Sequence, residues 1–487
     1  MSTRTVHAAV DIGASSGRVV AGVVDDGRVE LHPVHRFPNG AARDGGRLRW
    51  DLSGLFAEVL TGLRLLGEQF DRVVSIGVDT WAVDYGLLDA DGRLLAEPTA
   101  YRDDRTTPAL LAGVHAKVDA ADLYAVNGLQ SLPFTTVYQL AAEQQDPLWP
   151  RVRHAVLLPD LIGYWLTGEL RTEVTNASTT GLLDARTRTF SGELAARLDL
   201  PADLFPPLVQ PGERLGQLLP AVAAETGLPP DVAVVAVGSH DTASAVVGVP
   251  ATEERWAYVS SGTWSLVGLE LDAPVITPES RAANFTNEGG VDGRTRFLRN
   301  VGGLWLLSES LRDWADRGEP AELGPLLEQA AALPAGGPLV DVDDDAFIAP
   351  DDMPERIRRA CRDAGQEAPG TAPEVVRCVL ASLAAAYART LDQAERLTGR
   401  RVEVVHVVGG GAQNTLLCRL AAEACGRTVL AGPVEATALG NVMVQARTAG
   451  SLSGSLEELR RATAARLDLR RYEPHPEPHP EPRRARP

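Results

Sequence analysis

Residues 6–31, VHAAVDIGASSGRVVAGVVDDGRVEL, decide the fold class. An apolar run reaches Asp11, and a turn of small residues, Gly13-Ala14-Ser15-Ser16-Gly17, follows it. A second apolar run leads to another turn at Asp25-Asp26-Gly27. Apolar runs bounded by Gly/Asp/Ser turns are strands, and turns this short join only antiparallel neighbours. The chain therefore opens with a β-meander and not with a strand that feeds a helix.

Working outward, VVSIGVDTWAVDYGLLDADG (73–92) predicts two more strands around a loop that carries Asp79, Trp81 and Asp84. Residues 105–230 carry mostly helix signals, with a substrate-side elaboration expected near QSLPFTTVYQL and LLPDLIGYWLTG. The segment 254–271, ERWAYVSSGTWSLVGLEL, then repeats the opening pattern of strand, small-residue turn and strand. That repeat divides the chain into similar halves with a boundary near residue 246. PEVVRCVLASLAAAYARTLDQAERLTG has helical periodicity and a glycine stop, and RRVEVVHVVGGGAQNTLLCRLAAEACG reads as strand, glycine turn and helix. Alternating strands and helices make the chain α/β. The expected units are 1–245, 246–472 and a Pro-rich low-complexity tail, 473–487, whose His475 and His479 are read as solvated.

The bulk composition excludes several classes. At 487 residues the chain is too long for one core. A net charge of −18 argues against nucleic acid or an anionic membrane as the main partner. The start lacks a signal peptide, and no apolar run reaches the roughly 18 residues of a membrane helix, so a cytoplasmic location is expected. The four cysteines, Cys361, Cys378, Cys418 and Cys425, show no zinc spacing and are expected as reduced, mostly buried thiols, with a Cys361–Cys378 bridge left open. The single lysine, Lys117, sits in none of the contexts that P-loop, protein-kinase or pyridoxal-phosphate chemistry requires.

Four short stretches carry chemistry. In DIGASSGR (11–18), small residues let backbone N–H groups approach phosphate oxygens, and the two serines and Arg18 add donors. Asp11 there is a candidate Mg²⁺ ligand; a plain hairpin turn is the alternative. SSGTWS (260–265) is the same kind of turn in the corresponding place of the second half. GGGAQNTLL (409–417) departs from a dinucleotide fingerprint, since the third glycine of that pattern would fall on Asn414. It suits a nucleotide lying flat on the backbone, or simply a tight strand–helix turn. GSHDTASA (238–245) places His240 and Asp241 where a strand meets a helix. Asp241 can be a helix cap, or the base that takes a hydroxyl proton in phosphoryl transfer, with His240 binding substrate oxygens.

Taken in order, VDIGASSGR, SIGVDTWAVDYGLL, AYRDDRT, LPDLIGYWLTG, TNASTTGL, SHDTASAV, SSGTWSL, NFTNEGGVDGRTRFLRNVGGLWLL, VVGGGAQNTLL and AGPVEATALGN resemble the FGGY carbohydrate kinases over nearly the whole chain. The resemblance implies two actin-like (ribonuclease-H-type) domains around an interdomain cleft, and ATP-dependent phosphorylation of a ketose, L-rhamnulose at its 1-hydroxyl, with Mg²⁺. It makes Asp241 the proton acceptor. Trp81, Ala82, His240, Thr242 and Asn300 become sugar contacts. Ala14, Ser15, Ser16, Gly17, Arg18 and Thr263 become phosphate contacts, and Gly410 and Gly411 fall in the adenine-nucleotide site. Two positions depart from the pattern. Ala82 stands for a glycine, which bears on the choice of ketose and keeps L-fuculose or a pentulose open. Ser308 stands where a longer glutamine contacts ATP. A non-catalytic actin-like binding protein is the reading of a different class. The expected assembly is a monomer or homodimer.

Overall fold

The computed structural model describes residues 4–348 and 351–474. His475, His479 and the rest of the tail beyond residue 474 lie outside them. The opening meander is present as β1 (Thr5–Ile12), β2 (Ser16–Asp25) and β3 (Arg28–Pro38), paired antiparallel in sequence order. β4 (Val73–Thr80) lies parallel to β1 on its other side. β5 (Arg214–Gln217) and β6 (Ala233–Val235) complete a six-stranded sheet of order β5-β6-β4-β1-β2-β3.

The second half repeats this plan. β7 (Trp256–Ser261), β8 (Trp264–Leu271), β9 (Thr286–Gly289) and β10 (Thr295–Gly302) form an antiparallel set. β11 (Val404–Val408) lies parallel to β7, followed by β12 (Thr428–Ala431) and β13 (Arg470–Tyr472). The order is β9-β10-β8-β7-β11-β12-β13, so each half carries a meander with a parallel strand set against its first member. The strand after β4, Tyr85–Leu88, does not return beside it but pairs with His154–Leu157 in a separate two-stranded sheet. The bend at Val83, whose φ is 68°, turns the chain out of the main sheet.

Five helices position the cleft: α1 (Leu52–Gln69), α2 (Asp241–Val247), α3 (Trp305–Asp316), α4 (Ala372–Thr398) and α5 (Thr415–Cys425). α4 starts at a Thr371/Glu374 capping box, in which each side chain bonds the other residue's backbone N–H. It ends at Gly399 in the left-handed conformation. Its Val376, Val379, Leu383, Tyr387 and Leu391 are buried in the core of the second half, each stabilising by about 1.5–3 kcal/mol. All four cysteines are free and buried, and the Cys361 and Cys378 sulfurs share a weak thiol hydrogen bond at 3.9 Å without a disulfide. Among the described residues no helix is long and apolar enough to cross a membrane.

A sixth helix, α6 (Ala436–Thr448), belongs to the second half in sequence but docks on the first sheet. Gln445 Nε2 donates to the Ala8 carbonyl at 3.0 Å, and Asn441 Nδ2 to the Gly77 carbonyl at 3.2 Å. α6 also crosses α2 at a glycine pair. A Cβ on Gly440 would overlap the Ser244 carbonyl, and one on Gly248 the Ala436 carbonyl. Backbone cannot yield as a flexible side chain does, so Gly440→Ala is expected to lower stability by about 2–3 kcal/mol. Gly410→Ala, where a Cβ meets open space, should leave stability nearly unchanged. Urea unfolding midpoints check both.

Candidate active site

The floor of the cleft is built from the ends of parallel strands. Asp11 on β1 and Asp79 on β4 are register partners, which places their carboxylates on one face, side by side. Asp11 is 4% exposed and Asp79 is fully buried. Arg18 donates from Nε (3.0 Å) and Nη2 (2.7 Å) to Asp11 Oδ2, and its Nη1 lies 2.8 Å from the Glu435 carboxylate. Asp79 Oδ2 accepts a 2.5 Å bond from Asn441 Nδ2, while Oδ1 is buried without a partner. Burial raises both acids. At Asp11 the Arg18 guanidinium opposes it, and the carboxylates of Asp241 and Glu435 add to it. Asp79 is pushed well above the usual carboxylate range, first by burial and then by Asp11.

Asp241 is the first residue of α2, with His240 at the cap position and no side-chain cap bond. Of the two readings of Asp241, the helix cap is not what the structure shows: its carboxylate accepts from Thr242 Oγ1 at 3.0 Å and makes no cap bond to the helix N–H groups. The charge of Asp241 adds to the upward push on the pKa of Asp11 and Asp79.

His240 is held from the other half of the molecule. Arg296 on β10 meets His240 Nδ1 at 3.0 Å, donates from Nε to the Gly289 carbonyl, and forms an ion pair with Glu288 on β9 at 3.0 Å. His240 Nδ1 also lies 3.2 Å from Glu288 Oε2, and its Nε2 faces Asp241 Oδ1 at 3.5 Å. Burial works against the charge on Glu288, but Arg296 and then His240 outweigh it and hold the carboxyl below its ordinary range.

Beside them, Thr80 N–H donates to the Ser239 carbonyl, which sets the end of β4 against the start of α2. Trp81 and Ala82 therefore leave β4 next to His240. The bend that follows costs about 1–3 kcal/mol for a β-branched residue at φ 68°. Asp84 offsets it as a buried clamp: its carboxylate accepts from Trp81 Nε1, Trp50 Nε1, the Tyr101 N–H and Gln139 Nε2.

On the second-half side, the Ser260–Trp264 turn is pinned to the start of α3 by Leu304 N–H to the Gly262 carbonyl and Trp305 N–H to the Thr263 carbonyl. Gly411 packs directly on Ser261, leaving no room for a side chain, whereas Gly410 is exposed to open space. The glycine stretch forms a short 3-10 turn, Gly410–Gln413, and Asn414 caps α5, so the helix starts later than the sequence pattern suggests. Ser308 is exposed on α3. Thr263 and Asn300 line one cavity of about 180 Å³ together with Arg102, Phe134, Trp264 and Trp305. In the first turn, Gly13 N–H bonds the Ser16 carbonyl, and Asn39 ties down both Gly13 and Ser15. Ala14 and Ser16 are half-buried, Ser15 is exposed, and Gly17 packs against Phe37.

Sequence reasoning had left Asp79, Glu288, Arg296, Glu435 and Asn441 without a role. Asp79 carried a usable signal, an apolar run ending in Asp as at Asp11. The others act across the two halves, and no local pattern marks such pairings.

A family model for the N-terminal domain of the FGGY family of carbohydrate kinases matches residues 6–248, and the model for the C-terminal domain matches 257–449. The chain belongs to the FGGY family of carbohydrate kinases. It is 41% identical to a rhamnulokinase of Bacteroides thetaiotaomicron over 468 residues, 96% of this chain and 95% of that one. It is also 41% identical to a rhamnulokinase of Klebsiella pneumoniae over 473 residues, 96% and 94% of the two chains. The crystal structure of gluconate kinase from Lactobacillus acidophilus shares the fold with a TM-score of 0.79 at 17% identity, covering 97% of this chain and 94% of that chain.

In this FGGY kinase a buried polar chain runs under the floor. His7 Nδ1 meets Ser75 Oγ at 2.7 Å, Ser75 donates to Gln445 Oε1, Gln445 to Asn441 Oδ1, and Asn441 to Asp79. Burial lowers the His7 pKa from 6.5 to about 4. Between those pH values acid protonates His7 only in the unfolded chain, so stability present above pH 6.5 is lost on acidification, by about 3 kcal/mol in all. Unfolding free energies of wild type and His7→Gln, measured from pH 7 to pH 4, should differ by that much less at the acid end.

Proposed function

We propose that this enzyme transfers the γ-phosphoryl group of ATP to the 1-hydroxyl of L-rhamnulose, forming L-rhamnulose 1-phosphate and ADP. Nearly full-length 41% identity to two rhamnulokinases supports the choice of sugar. The observation that carries the choice of base is accessibility. The Asp241 side chain is 30% exposed, against 5% for that of Asp11, while Asp79 is fully buried, and a base must touch the hydroxyl it deprotonates.

In this reading residues 1–245 supply the sugar site and 246–472 the nucleotide site. The sugar lies against Trp81, Ala82, His240, Thr242 and Asn300. The turns at 13–17 and 260–264 face the phosphates, with Gly410, Gly411 and Ser308 on the nucleotide side. As the sugar oxygen bonds to the γ-phosphorus and the bond to ADP breaks, the hydroxyl proton passes to an Asp241 carboxylate oxygen. His240 Nε2, 3.5 Å from Asp241 Oδ1, flanks that carboxylate, and the Asp84 clamp holds the Trp81 wall. Arg18, tied to Asp11 and Glu435, keeps the first turn in place.

The floor also fits a hard divalent cation. Asp11 and Asp79 offer oxygen donors, and Asp79 Oδ1 is a buried atom with no partner in the protein. Magnesium characteristically takes one or two carboxylates and completes its shell with waters and phosphate oxygens. Bound there, Mg²⁺ would supply positive charge against the phosphate oxygens.

Ala82, in place of the glycine of the resembled pattern, supports a second reading, a kinase for another ketose. ADP release across a panel of ketoses decides between them, with fastest turnover expected on L-rhamnulose. Asp241→Asn should bind ATP as wild type does and lose about 10²-fold or more in turnover. Near-normal turnover in that variant removes the base assignment.

A further inference from the structure

Glu173 is a fully formed anion-like acceptor that the reaction as described does not use. It is 1% exposed and caps the short helix Val174–Ala177. Its carboxylate accepts five bonds. Two come from Thr175, N–H at 2.8 Å and Oγ1 at 2.6 Å, and one from the Asn176 N–H at 3.2 Å. The other two come from Ser239, N–H at 3.0 Å and Oγ at 2.7 Å. Burial pushes its pKa up, and the donors of Thr175 and Ser239 oppose that push.

A cap for a four-residue helix needs only the first three of these bonds. The two from Ser239 reach 66 residues along the chain and end on the residue before His240. The Ser239 carbonyl is held as well, by Thr80 N–H at 2.9 Å and Asn176 Nδ2 at 3.3 Å. Ser239 is thus fixed at its N–H, its hydroxyl and its carbonyl, and all three are buried. This is the residue whose backbone sets the direction in which His240 and Asp241 leave for α2.

We infer that Glu173 is a positioning residue for Asp241, acting through Ser239 to hold the turn from which the carboxylate projects. The inference rests on the reading of Asp241 as the base. Its physical basis is that small misplacements of a reacting group cost turnover steeply, up to about 10²-fold per ångström, while the binding of sugar and ATP by other residues is untouched.

The experiment uses the full-length enzyme and the ketose that the wild type turns over fastest. Glu173→Gln should lower kcat about 10- to 100-fold, and Ser239→Ala, which removes one bond, about 3- to 10-fold, with KM for both substrates within about 2-fold of wild type. Added to Asp241→Asn, either substitution should change the residual turnover by less than about 2-fold, since its route of action is already gone. A purely structural role would still lower turnover in that background and overturn the inference. Wild-type kcat in Ser239→Ala, or a raised sugar KM at unchanged kcat, overturns it too, and Ser239→Ala decides alone where Glu173→Gln does not fold. Near-normal turnover in Asp241→Asn itself defeats the base assignment instead, so the two failures are distinguishable.

Discussion

Two acids buried side by side at the ends of neighbouring parallel strands are the constraint around which this molecule is arranged. Asp11 and Asp79 share a register and a face, so each opposes ionisation of the other in a region water does not reach. Such a pair stands only when cations and donors are brought to it. Arg18, one turn along the meander, brings charge to Asp11. Asn441 brings an N–H to Asp79, and it lies on a helix more than 350 residues away in the chain.

That distance ties the two halves into one site. α6 must dock on the first sheet for Asn441 and Gln445 to reach Asp79 and the Ala8 carbonyl. It can do so only because Gly440 and Gly248 let it pass close to α2. The same crossing holds α2, and with it Asp241, over the floor. Arg296 and Glu288 approach His240 from the second sheet, and Glu173, at the cap of the short helix Val174–Ala177, holds Ser239. The helix start at Asp241 is therefore supported from three sides, by groups that meet nowhere in the sequence.

Much of the fold was readable from local pattern. Short turns between apolar runs at 12–16 and 25–28 leave antiparallel pairing as the only geometry, and the repeat at 254–271 extended the same logic to the second half. The capping box and the terminal glycine of α4 are interactions within one turn. The strand after β4 was legible, but its partner, His154–Leu157, was not, because that pairing is a tertiary choice made by the bend at Val83. Of the candidate site, the residues in small-residue turns and at strand ends were the ones the sequence could single out, because their chemistry and their local backbone coincide. Asp241 was read as a possible cap because Asp before a helix often is one; one position further into the helix, its side chain no longer reaches those N–H groups.

The amino-acid sequence alone was enough for the α/β class, the duplicated meander, the family and the candidacy of Asp11, Asp241 and the turn glycines. These follow from periodicity, turn chemistry and ordered motifs, all of which act over a few residues. The tertiary structure alone decided which acid is accessible and which are buried, and that Asn441 meets Asp79, Arg296 meets His240 and Glu173 meets Ser239. Burial and long-range hydrogen bonds depend on which surfaces come together, and no stretch of chain carries that information by itself.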